Sequence, residues 1–275
     1  MTDFITFLGP PLAGCILLSI VYTYLGCHVL KREIIFIDLS LAQLAALGTT
    51  VAFVNGLDLE SNEATILSIL FIVVGSLFFA WARKFSNAIP HEAVIGIIYI
   101  FSASAGLLLS SQSSHGAEHI RSMLNGSILW ITWAGILKLL AILIIPALIH
   151  FIYRSQMVDF SNSYKEQETK LSSKAYLWDF LFYFSIGIII VFSIKSAGVF
   201  LIFTWLIVPA ACVSLFFDSL YKQFVFGSIL GAIVSSMGLT LSYWMDLPTG
   251  STIVCVFGVT FLISLVTYRG TPKKQ

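Results

Sequence analysis

Charge is scarce in this chain. Lys, Arg, Asp and Glu make up 11% of its 275 residues, against 58% hydrophobic, where a soluble domain carries about a quarter charged residues. Too little polar material is present to cover a water-facing surface, and a mean hydropathy of +0.94 places most of the chain in lipid. The net charge of +1 says nothing about partners, but no basic patch is present, so nucleic acid is not expected as a partner. No G-x-x-x-x-G-K-[ST] phosphate loop occurs, so the chain does not bind and hydrolyse ATP by that route. The four cysteines, Cys15, Cys27, Cys212 and Cys255, stand singly in apolar runs without a C-x-x-C pair and read as small hydrophobes. No motif calls for a resident cofactor. No Lys or Arg precedes the first apolar run, which is too long for a signal peptide's apolar region, so it is expected to stay in the mature protein.

What is present is a series of apolar runs at 6–30, 34–54, 64–82, 93–110, 128–153, 175–194, 196–217, 223–245 and 250–268. A helix needs roughly 20 apolar residues to cross the hydrocarbon core. None of the runs alternates as a barrel strand does, so an all-α polytopic bundle of about nine spans is expected. Charge gives its orientation. Lys31, Arg32, Arg83, Lys84, Arg154, Lys165, Lys170, Lys174, Lys222, Arg269, Lys273 and Lys274 are 12 of the 15 basic residues, and nine spans put them all on one side. That side is the cytoplasm, with the N-terminus out and the C-terminus in. Lys138 would be costly deep in a span, so the fifth span should begin near Gly135, after an interfacial or re-entrant stretch at 128–134. Lys195 leaves the sixth and seventh runs as a tight outer hairpin.

Residues 154–174 are polar, show no apolar stripe and form the only long cytoplasmic loop, and such loops carry function. His115, Glu118 and His119 match H-x-x-E-H. That pattern needs a helix to present both histidines, which Gly116 weakens. A catalytic zinc site, a metal-attracting outer mouth and an ordinary polar loop all remain open. In the second span, Ser40, Gln43 and Thr50 share one face and Asp38, Ala42, Ala45 and Thr49 the other. Asp38 is either a path residue or an interfacial carboxylate paired with Lys31 or Arg32, and Gln43 either lines a path or bonds a neighbouring helix. Glu92 suits the first turn of the fourth span through the helix dipole. Gly227, Gly231 and Ser235 form a small-residue packing ladder.

Several blocks resemble the ABC-type zinc/manganese/iron permease family: LGCHVLKREIIFIDLSLAQLAALGTTVAF at 25–53, HEAVIGIIYIFSASAGLLL at 91–109, LNGSILWIT at 124–132, the long block at 178–210, and MDLPTGSTI at 245–253. They run in order along nearly the whole chain. The resemblance implies a single permease domain with the fold of the cobalamin and siderophore importers. It also implies a homodimer in the bacterial cytoplasmic membrane, two cytoplasmic ABC ATPase subunits, and an extracytoplasmic metal-binding protein. The coupling position of that fold falls on 154–176, making Ser163, Lys165, Glu166, Glu168 and Lys170 candidates for contact with the ATPase. Ser163 and Glu166 have capping-box spacing. The family's Asp-x-x-x-His pair on the ion path falls on Leu39 and Gln43, with Asp38 displaced by one, and the glycine many members carry in the coupling loop is absent. The path candidates are therefore Asp38, Ser40, Gln43 and Thr50. Three other readings stand beside a metal-ion permease: a permease for an organic or chelated substrate on the same fold, an independent secondary transporter, and a metallohydrolase lacking a third ligand.

Overall fold

A computed structural model describes residues 2–58, 61–111, 125–162, 164 and 173–268. Ten α-helices account for almost all of them: α1 (Thr2–Arg32), α2 (Ile37–Val54), α3 (Asn62–Ala82), α4 (His91–Ser110), α5 (Trp133–Ile152), α6 (Arg154–Asn162), α7 (Ser173–Ala197), α8 (Val199–Ser214), α9 (Leu220–Met245) and α10 (Thr249–Thr267). Two 3₁₀ turns, Arg83–Phe85 and Ile128–Trp130, extend or precede them. Among the described residues, eight helices are long and apolar enough to span; α8 is a shorter apolar helix. Its 16 residues reach about 24 Å, short of the hydrocarbon thickness. The helix is nevertheless largely buried, and the residue joining it to α7, Gly198, has φ +76°. Non-helical backbone is tolerated at membrane depth where protein covers it. The nine apolar runs of the sequence thus correspond to eight full-length helices and one short one.

Side-chain capping starts two of the helices. The Ser61 hydroxyl accepts from the Ala64 N–H at 3.1 Å at the head of α3, and Thr132 accepts from Gly135 N–H at 3.2 Å at the head of α5. The fifth span therefore begins at Trp133, two residues before the expected start, and the segment before it is the Ile128–Trp130 turn. That turn is fixed to the α7–α8 corner by Ser127 N–H donating to the Ser196 carbonyl at 2.8 Å. Gly126, at φ +64°, lies against the backbone of Ala197 and Gly198 where no side chain fits.

The helices pack in two overlapping groups. In one, α2 lies against α3, α4 and α7, and α3 against α7; in the other, α1 lies against α8 and α9, and α10 against α8 and α9. The predicted ladder on α9 is a packing seam: Gly227 and Gly231 admit Thr23 and Ser19 of α1, and the Trp205 indole N–H donates to Ser235 Oγ at 2.8 Å. Buried Leu18, Tyr22, Leu25, Ile37, Leu41, Ile186, Ile190, Ile202 and Trp205 form the centre. The outer helices α4, α5 and α10 leave most of their apolar surface uncovered, as helices facing lipid or another chain do.

Candidate functional site

The first two turns of α2 open onto a cavity of about 400 Å³, lined by Leu39 and Gln43 of α2, Tyr99 of α4, Val199, Phe200, Phe203 and Thr204 of α8, and Ser251, Val254 and Cys255 of α10. The charge bias assigns the first turns of α8 and α10 to the outer side and the start of α2 to the opposite one, so the cavity lies between them. Its polar groups are all neutral: one amide, three hydroxyls and one thiol. Cys255 is exposed, whereas Cys15, Cys27 and Cys212 are buried. Among the described residues no three His, Cys, Asp or Glu side chains converge as a metal site.

The four path candidates from the sequence do not lie together. Gln43 faces the cavity. Ser40 is buried and donates to the Ile95 carbonyl of α4 at 3.1 Å. Thr50 is buried and donates to the Ala46 carbonyl of its own helix at 2.9 Å. Asp38 is buried with no hydrogen-bond partner at either carboxylate oxygen, so it is not an interfacial partner of Lys31 or Arg32. The open stripe of α2 is narrower than the helical-wheel face because α4 covers Ser40. His115, Glu118 and His119 lie outside the described residues, as do Ser163, Lys165, Glu166, Glu168 and Lys170.

A second cluster sits at the end of the bundle that the charge bias assigns to the cytoplasm. Asp179 of α7 bridges two arginines: Oδ1 lies 3.3 Å from Arg32 Nη1 at the end of α1, and Oδ2 2.8 Å from Arg83 Nη1 just after α3. All three side chains have zero exposure, although the sequence places both arginines among the basic loop residues. They are nevertheless buried, because α6 and Tyr164 cover these helix ends. Arg32 Nε donates to Ser161 Oγ at 3.0 Å, and Arg83 Nη2 donates to the Tyr164 carbonyl at 2.8 Å. One positive charge remains uncompensated within the triad, and aromatic faces lie over it. The Arg83 guanidinium stands 3.6 Å from the Tyr164 ring centroid, and that of Arg32 stands 3.8 Å from Phe182, geometry that attracts a desolvated cation.

Hydrogen bonds extend the cluster from His28 Nδ1 to Ser161 Oγ at 2.9 Å, from Tyr164 to Tyr183 through their hydroxyls at 3.1 Å, and from Tyr183 to His91 Nε2 at 3.3 Å. The 154–174 segment therefore does carry an apolar stripe. Met157, Phe160 and Tyr164 are buried at spacings of three and four residues beneath an otherwise polar sequence. Glu92, expected to serve its own helix, instead accepts the Ile35 and Phe36 N–H groups at 3.1 and 3.2 Å and caps the entry to α2.

Long apolar helices packed around a cavity with a neutral lining define a polytopic membrane protein. The chain belongs to the ABC 3 transport family, whose model matches residues 5–268. It is 26% identical over 268 residues to the manganese import system permease protein ScaB of Streptococcus parasanguinis, covering 94% of this chain and 89% of that protein. It is 24% identical over 267 residues to the manganese transport system membrane protein MntC of Listeria monocytogenes, covering 95% and 90% respectively. The fold is also that of a chain in the structure of PsaBC from Streptococcus pneumoniae in complex with Fab. The TM-score is 0.78 at 23% identity, over 98% of this chain and 95% of that one.

Proposed function

We propose that this chain is the pathway-forming subunit of an ATP-driven importer of a divalent transition-metal ion: manganese, zinc or iron. Two copies frame one path, a cytoplasmic ABC ATPase docks on the 154–176 loop, and an extracytoplasmic binding protein delivers the ion. The observation that carries this reading is the Gln43 cavity. It occurs on the helix where the resembling permeases carry their path residues, and α4, α8 and α10 complete its lining. The relatives named for manganese support the choice of cargo. The lining suits an ion that keeps much of its water shell, because neutral oxygens stabilise bound water without gripping the metal as imidazole or carboxylate would. A volume of about 400 Å³ has room for about a dozen waters at roughly 30 Å³ each.

The test is reconstitution of the chain with its ATPase and binding protein in proteoliposomes, following uptake of manganese, zinc and iron. Uptake of at least one of them should require ATP and both partners. Native mass spectrometry of the complex should show two copies of this chain. Uptake driven by an ion gradient without the ATPase would replace this reading with a secondary transporter.

A further inference from the structure

The Arg32–Asp179–Arg83 triad ties three widely separated parts of the chain to the segment that opens the cytoplasmic loop. As a source of stability it is a poor device. Desolvating three charges costs several kcal/mol per ion, and replacing such clusters by apolar residues is often neutral or stabilising. What the arrangement provides is fixed position. A single carboxylate holds the two guanidinium groups by different oxygens at 3.3 and 2.8 Å. Each guanidinium in turn reaches the α6–Tyr164 segment, through Ser161 Oγ in one case and the Tyr164 carbonyl in the other.

We propose that this triad is a positioning latch that makes the start of the cytoplasmic loop and the inner ends of α1, α3 and α7 move as one body, so that displacement of the loop by the ATPase reaches the cavity. The inference rests on the importer reading above. Its mechanical route is continuous in the fold. From the latch, α3 and α7 pack on α2, which carries Gln43, and α1 packs on α8, which carries Thr204. Planar, forked guanidinium groups suit such a joint because they fix direction as well as distance, which a lysine ammonium does not.

The experiment uses the complete complex in proteoliposomes and reads manganese uptake per ATP hydrolysed. The principal variant replaces the triad by apolar residues, Arg32→Met, Arg83→Met and Asp179→Leu together. It is expected to insert and fold, and to leave the ATPase bound and hydrolysing. Uptake per ATP should fall by about 2- to 30-fold, the span that coupling energies along packed networks cover. An unchanged ratio in a folded triple variant would overturn the latch. Should the triple variant fail to fold, Arg83→Lys decides on the same readout: a lowered ratio supports the latch and an unchanged ratio overturns it. A wild-type complex without ATP-driven uptake of any of the three metals removes the importer reading and the latch with it. That result is distinct from a wild type and a variant that transport equally well.

Discussion

Gly48 sits where α2 crosses α3, and the backbones approach so closely there that a single methyl group has no room. A Cβ built on it would lie 2.8 Å from Ser68 Cα, 2.9 Å from the Leu67 carbonyl oxygen and 3.0 Å from Ser68 N, all of them backbone atoms of α3, where ordinary contact begins at 3.4 Å. No side chain can rotate away, so in Gly48→Ala the helices must separate by about half an ångström over the crossing. Overpacking of this kind costs about 1–3 kcal/mol, and alanine's better helix propensity offsets about 0.5–1 of it. The net expectation is a loss of up to about 2.5 kcal/mol. Gly106→Ala is the matched control: nothing lies within 4 Å of its added Cβ, so it should gain up to about 1 kcal/mol from propensity alone. Thermal unfolding of the two purified variants in the same detergent measures the difference. Equal stability, or a Gly48→Ala protein more stable than Gly106→Ala, would show that α2 and α3 do not cross at this distance.

Three further outcomes follow from named contacts. Glu92→Gln removes a charge that accepts two N–H groups at the entry to α2; it should lower stability by about 0.5–1 kcal/mol, and an unchanged unfolding midpoint would refute the cap. A double-mutant cycle of Trp205→Phe with Ser235→Ala should give an interaction energy of about 0.5–1 kcal/mol for their 2.8 Å hydrogen bond, whereas zero coupling would mean that the seam is held by packing alone. Gln43→His places an imidazole in the cavity and should tilt competitive uptake from manganese towards zinc, which imidazole binds more strongly; an unaltered manganese-to-zinc ratio would take Gln43 off the path.

The spans and the tight α7–α8 corner were legible in the sequence because lipid imposes long apolar runs and leaves only Lys195 to break them. The small-residue ladder on α9 was legible for the same reason, since helices in lipid meet through their smallest residues. The triad was not. Arg32, Arg83 and Asp179 lie on three different helices, and nothing in local spacing says that two basic residues at span ends turn inward. The available signal was Asp179 itself, an ionisable residue one to two turns inside an apolar helix, which by default marks function. The apolar stripe of α6 and Tyr164 was not legible because Met157, Phe160 and Tyr164 stand in a mostly polar segment, and only the packed helices show that they share a buried face. Of the α2 candidates, helical periodicity alone grouped Ser40 and Thr50 with Gln43. The position of α4 separates Ser40 from the cavity, a tertiary fact outside the reach of a helical wheel.

The claim that the Gln43 cavity is the path can be tested with a native residue. Cys255 lines that cavity and is exposed, while Cys15, Cys27 and Cys212 are buried, so a maleimide applied to the reconstituted complex should modify Cys255 first among the cysteines of this chain. The account predicts that labelling at this thiol, verified by mass, abolishes metal uptake, and that Cys255→Ser transports normally and resists the reagent. Full uptake by a complex labelled stoichiometrically at Cys255 would contradict it.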